Sequence, residues 1–144
     1  MVSLQALLKM ELEDGYSNLV LDGALKAAKL EKRDEALASA LFYGVLERRL
    51  TLDAVIAAHS KIKIKKMSPQ VRNILRLGVY QLLFSDKIPP SAAVDESVKL
   101  TRACRQASAC GFVNAVLRAV QRDTAALSPA KGAGLAQRLS FLYS

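Results

Sequence analysis

Cysteine, histidine and glycine are scarce in this chain, and each shortage narrows what it can be. Cys104 and Cys110 stand six positions apart, and His59 is the single histidine among 144 residues. A metal centre draws on several such donors at set spacings, so this supply speaks against a zinc site, and no metal or cofactor is expected. The two cysteines read as small, partly buried fillers in a reducing compartment. With only seven glycines and few β-branched runs, helix is favoured throughout. No apolar run approaches the roughly 20 residues that a membrane span needs. The opening MVSLQALLKMELEDG meets acidic residues soon after a short apolar stretch, which is a poor secretory signal. A cytoplasmic protein with no membrane partner is the expectation.

What the chain does have is apolar material and an uneven charge. Hydrophobic residues make up 51%, enough for one domain or two small helical subdomains sharing a core. The net charge is +8. Residues 1–60 carry 7 Lys/Arg against 9 Asp/Glu, whereas residues 61–144 carry 14 against 4. A near-neutral half joined to a strongly basic half suggests a surface for a polyanion. The sharpest feature is KIKIKK, which sets Lys61, Lys63, Lys65 and Lys66 within six positions. Four lysines this close repel one another unless something negative lies nearby.

Periodicity lays out about seven helices. The first spans Ser3 to Leu12 and ends before Asp14-Gly15. A second is capped by Ser17 or Asn18 and has Leu19, Val20, Leu21, Leu25 and Ala28 on its apolar face. A third starts near Arg33-Asp34 and points Leu37, Leu41, Phe42, Val45 and Leu46 inward. Thr51 is the expected N-cap of a fourth that buries Leu52, Val55 and Ile56, with Asp53 in its first turn facing the helix dipole. KIKIKK alternates like a strand but has no strand to pair with, so it reads as an extended link with Ile62 and Ile64 tucked in. Ser68-Pro69 is a capping hydroxyl followed by proline at the first helical position, opening VRNILRLGVYQLLF. Val71, Ile74, Leu75, Gly78, Val79, Leu82 and Leu83 share one face of that helix. Pro89-Pro90-Ser91 starts a sixth with Val94, Val98 and Thr101 aligned, and Ser108–Gly111 opens a seventh that runs to about Ala126. Ser128-Pro129 repeats the start signal before a weaker tail. The expected fold class is all-α, a helical bundle or two small ones packed together.

Several polar and aromatic residues carry two readings each. Tyr80 sits between Val79 and Leu82, as core or as a platform for an unpaired base. His59 either caps the end of the fourth helix or touches a nucleic acid. Asn114 satisfies buried backbone groups or binds a ligand. Arg118 and Arg122 either pair with Asp95 or Glu96 or face a polyanion, while Arg48 and Arg49 read as a solvated helix end.

LRLGVYQLLF, IPPSAAVDESVKL and GFVNAVLRAVQR, in that order and spacing, resemble the second half of a NusB-type domain. The resemblance covers nearly the whole chain; it is specific over residues 71–122 and weaker before residue 33. It implies two packed three-helix bundles, an N-terminal subdomain over 1–60 and a C-terminal one over 67–126. Two kinds of protein carry such a domain. One is a stand-alone antitermination factor that partners a ribosomal protein on nascent rRNA leader, a regulator of transcription. The other is the Sun/Fmu-type 16S rRNA cytosine-5 methyltransferase, in which the domain is an N-terminal RNA-binding module. Ile88–Ala93, Val79–Leu83, Asn114–Arg118 and Tyr16-Ser17-Asn18 look like the methyltransferase version. The resemblance then makes residues 127–144 a linker toward an absent catalytic domain, and the chain an N-terminal fragment. MVSLQALLKM holds no arginine, unlike the arginine-rich start of the stand-alone factors.

No Gly-rich loop follows a strand to hold S-adenosylmethionine, and no Pro-Cys or Thr-Cys pair supplies a nucleophile, so this chain is not expected to catalyse methyl transfer. Its expected work is to hold RNA, with 16S rRNA the first candidate, through phosphate contacts from Lys61, Lys63, Lys65, Lys66, Arg72 and Arg76, with Arg118 and Arg122 as further candidates. The alternatives are the antitermination adaptor and a protein-docking or homodimerising module.

Overall fold

The computed structural model describes residues 2–13, 17–85 and 88–127. Seven α-helices account for most of them: α1 (Val2–Glu13), α2 (Ser17–Ala28), α3 (Lys32–Glu47), α4 (Arg49–His59), α5 (Pro69–Phe84), α6 (Pro90–Ala103) and α7 (Cys110–Leu127). Short 3₁₀ turns at Ile64–Lys66 and Ala107–Ala109 complete the order, and the described residues form no strand. The Asp14-Gly15 turn, Tyr16 and the tail with Ser128-Pro129 lie outside the described residues.

The fold is all-α. Helices α1, α2 and α3 pack on one another, as do α5, α6 and α7, giving two three-helix bundles. They join because α5 also packs on α1 and α3. Helix α4 lies within the first sixty residues yet packs mainly on α5 and α7. The sequence explains why α5 is the centre. Its apolar residues run almost around the cylinder, so Val71, Ile74, Leu75, Leu77, Val79 and Leu83 are all at most 4% exposed. Each such side chain removed from water contributes about 1.5–3 kcal/mol. Glycine permits the closest approaches. A Cβ on Gly44 of α3 would fall 2.3 Å from the Tyr80 ring, and one on Gly78 would fall 2.9 Å from Leu117.

Local signals behave as chemistry dictates in most places. Ser68 caps α5, its Oγ accepting from the Val71 N–H at 3.2 Å with Pro69 in the first turn. Ser3 Oγ donates to the Ala38 carbonyl at 2.9 Å and pins α1 to α3. Tyr80 is half-buried and stacks on Phe84, centroids 5.6 Å apart. Asn114 is half-buried on α7.

Four expectations are corrected. Thr51 is not the N-cap of α4: that helix starts at Arg49, with only Arg48 between it and α3, and Thr51 lies buried within its first turn. Asp53 consequently sits past the first turn and serves an ion pair instead of the dipole. Leu19 and Leu37 point outward, 63% and 41% exposed, because Val20, Leu21, Ala38 and Phe42 fill the facing side of their helices. Ile62 is 44% exposed, whereas Ile64 does pack against the core.

Candidate nucleic-acid interface

The link between α4 and α5 is short and held at both ends. At its start, His59 Nδ1 lies 2.8 Å from the Val55 carbonyl and Nε2 lies 2.6 Å from Asp123 Oδ2 on α7. The next residue, Ser60, turns the chain: its hydroxyl donates to the Ile62 carbonyl at 2.8 Å and accepts from the Ile62 N–H at 3.0 Å. At its end, the 3₁₀ turn closes with the Met67 N–H donating to the Ile64 carbonyl, and Met67 is buried against the core. Ile64 and Met67 therefore anchor the segment from inside. Lys61, Lys63, Lys65 and Lys66 are left exposed on its outer side.

A depression of about 540 Å³ opens beside this link, lined by Glu11, Lys63, Ile64, Lys65, Arg72 and Arg76. Three helical neighbourhoods meet there: the last turn of α1, the lysine link and the first turns of α5. Between Ala54 and Ser85 the sequence contains no Asp or Glu, so that stretch contributes only cations. The single carboxylate of the lining comes from α1.

Both arginines of the depression are engaged. Arg76 is 8% exposed. Its Nε and Nη2 donate to the two oxygens of Asp53 on α4 at 2.7 and 3.0 Å, and its Nη1 donates to Asn73 Oδ1 at 3.2 Å. This two-pronged pair ties α5 to α4. Arg72 donates from Nε to Glu11 Oε1, pairs with the same carboxylate through Nη2, and donates from Nη1 to the Met67 carbonyl at 2.6 Å. Glu11 Oε2 accepts from Asn73 Nδ2 at 2.6 Å. One chain of polar contacts thus runs from α1 through α5 to α4.

Of the residues expected to meet a polyanion, the fold gathers Lys63, Lys65, Arg72 and Arg76 around one hollow and leaves Lys61 and Lys66 exposed on the same link. Arg122 is exposed on α7, next in sequence to the Asp123 that meets His59 at the start of that link. Arg118 turns toward α6, its Nη2 3.5 Å from Asp95 Oδ1, with both side chains open to water. Glu11 was missed by sequence reasoning. Arg48, expected at a solvated helix end, is instead half-buried and lies over the Phe84 ring at 4.2 Å, a cation–π contact between the end of α3 and the end of α5.

A basic hollow on a two-bundle helical frame defines a class, an all-α module with cations gathered on one surface. Comparison with known proteins narrows it. A family model described as the NusB family matches residues 1–122. Over 122 residues the chain is 35% identical to a probable ribosomal RNA small subunit methyltransferase B of Bacillus subtilis (strain 168), covering 85% of this chain and 27% of that protein. It is 33% identical over 122 residues to the transcription antitermination protein NusB of Bacillus velezensis, covering 84% of this chain and 91% of that protein. A crystal structure of the antitermination factors NusB and NusE in complex with dsRNA superposes with a TM-score of 0.78 at 23% identity, over 85% of this chain and 92% of the matched one, and so shares its fold. The chain belongs to the NusB family. It spans about a quarter of the length of the methyltransferase it matches.

Proposed function

We propose that this chain is an RNA-binding module that works with an rRNA cytosine-5 methyltransferase activity, holding the RNA by its phosphates while the chemistry is done elsewhere. The observation that carries the reading is the lysine link. Four exposed ammonium groups are presented by a segment that Ile64 and Met67 anchor from inside, beside a hollow that has a guanidinium in its wall. Such a surface supplies sequence-independent, salt-dependent affinity and fixes the orientation of the RNA. Lys61, Lys63, Lys65, Lys66 and Arg72 form the contact set. Arg76 braces the wall from beneath through Asp53, and Arg122 extends the surface along α7. Arg118, held toward Asp95, is peripheral.

The methyltransferase assignment is supported by the 35% identity to the Bacillus subtilis protein and by the Ile88–Ala93 stretch that enters α6, which resembles the methyltransferase version. In this reading 16S rRNA is the RNA and the partner is the catalytic domain of such an enzyme, in the cytoplasm. A second reading, an antitermination adaptor that also meets a ribosomal protein, is favoured by the 33% identity to a NusB protein over the same residues. Competition binding tests the choice. Preference for a 16S rRNA hairpin over a leader-type single strand supports the methyltransferase module, and the reverse preference supports the adaptor. Binding to neither at low salt would overturn both and leave a protein-docking role.

A further inference from the structure

We infer that the Glu11 carboxylate is the resident anion of the basic hollow: it holds the Arg72 guanidinium in the free chain and gives it up when an RNA phosphate arrives. The inference rests on the RNA-phosphate reading above and adds to it a residue that sets how strongly the site binds.

Geometry gives the first argument. Arg72 turns its Nε and Nη2 edge to Glu11 and anchors the remaining nitrogen on the Met67 carbonyl. The edge occupied by Glu11 is the one that fits two oxygens of a phosphate as well as it fits a carboxylate. Arg76 cannot play this part, since Asp53 and Asn73 use its donors from below and it is almost wholly buried. The exchangeable guanidinium of the hollow is therefore that of Arg72. Its side chain is 17% exposed and that of Glu11 is 27% exposed, so both reach solvent.

The setting of Glu11 gives the second argument. It lies in the last turn of α1, a turn without a basic residue, where the helix dipole disfavours a carboxylate. The cations of α5 and the link offset that cost, which makes Glu11 dependent on the groups an RNA would claim. Helix α1 keeps its place without it, because Leu4 and Leu7 are buried and Ser3 is bonded to Ala38. On displacement, Asn73 retains the Pro69 carbonyl at 2.9 Å and its bond from Arg76, so no buried amide is orphaned. Glu11 thus sets a threshold: a lone phosphate gains little by replacing one anion with another, whereas a strand that also engages the lysines gains their contacts.

The test is fluorescence anisotropy with a short single-stranded RNA and a 16S rRNA hairpin, on the full chain and on E11Q, R72Q, E11Q/R72Q and K63E/K65E. E11Q is expected to bind roughly three- to tenfold tighter, with a salt slope steeper by about 0.7–0.9 because one more cation is free to release a counterion. R72Q is expected to weaken binding in both backgrounds, and by a larger factor in E11Q, where no carboxylate competes for the guanidinium, than in the parent. Additive effects, or unchanged affinity in E11Q, overturn the inference. If K63E/K65E binds as the parent does, the RNA-phosphate reading itself fails; if that variant loses binding while E11Q shows no gain, only the role of Glu11 fails. Should E11Q not fold, the parent carries the test by NMR. Joint shifts of the Arg72 Nε–Hε and Glu11 carboxyl signals on adding RNA support exchange, and shifts confined to the amides of 61–66 refute it.

Discussion

Arg76 on α5 and Asp53 on α4 meet through two parallel contacts, Nε to Oδ1 at 2.7 Å and Nη2 to Oδ2 at 3.0 Å, with side chains only 10% and 24% exposed. This pair fixes α4, and with it the take-off point of the lysine link, against the central helix. Removing one partner leaves the other charge largely desolvated. D53A is expected to lose about 2–4 kcal/mol of stability by chemical denaturation. Replacing both residues with apolar side chains of similar size is expected to recover most of that loss.

The contact between Gly44 and Tyr80 lets α3 and α5 approach closely. The Tyr80 ring is held on its other side by Phe84, which in turn carries Arg48. A methyl group at position 44 has no space, since the nearest ring atoms lie 2.3–2.6 Å from its Cβ. G44A is expected to lower stability by about 1–3 kcal/mol, and G44A/Y80L to restore part of it, as read from thermal unfolding.

Arg105 follows α6 with φ of 60°, a left-handed position that side chains other than glycine adopt at a cost. Its own N–H donates to the Arg102 carbonyl and the next N–H donates to the Thr101 carbonyl, closing the helix end. R105G keeps these bonds and relieves the strain. An increase of about 0.5–1 kcal/mol in unfolding free energy is expected.

Ser68 closes the other end of the basic site. Its hydroxyl satisfies the Val71 N–H and lies 3.5 Å from Gln106 Oε1 beyond α6. S68A is expected to cost about 1 kcal/mol. RNA affinity should fall little, because Met67 still anchors the link; a denaturant series and an anisotropy titration measure the two effects.

The all-α class and the starts of α5 and α6 were legible because their signals are local: apolar spacing, a Ser-Pro cap and a Pro-Pro entry. Leu52, Val55 and Ile56 likewise announce their own burial. The start of α4 was not legible, since a single residue separates it from α3 and Thr51 makes a plausible cap. Leu19 and Leu37 misled because apolar residues occupy more of α2 and α3 than the core can cover. At the basic site, the lysines were plain in the sequence. The partners of Arg72 and Arg76 were not, because Glu11 and Asp53 reach them from 61 and 23 residues away. Arg72 and Arg76, one turn apart, look equivalent in the sequence. Tertiary pairing separates them, one deep against Asp53 and the other at the edge of the hollow.

The most direct test of the RNA-phosphate account is the salt dependence of RNA binding by the chain and by K63E/K65E. For the parent, log K against log salt is expected to fall with a slope of about −3 to −4, as four or five phosphate contacts require. In K63E/K65E the slope should shrink by more than one unit, with affinity lost at every salt concentration while the helical content is unchanged. Equal slopes and equal affinities in the two proteins would contradict the account.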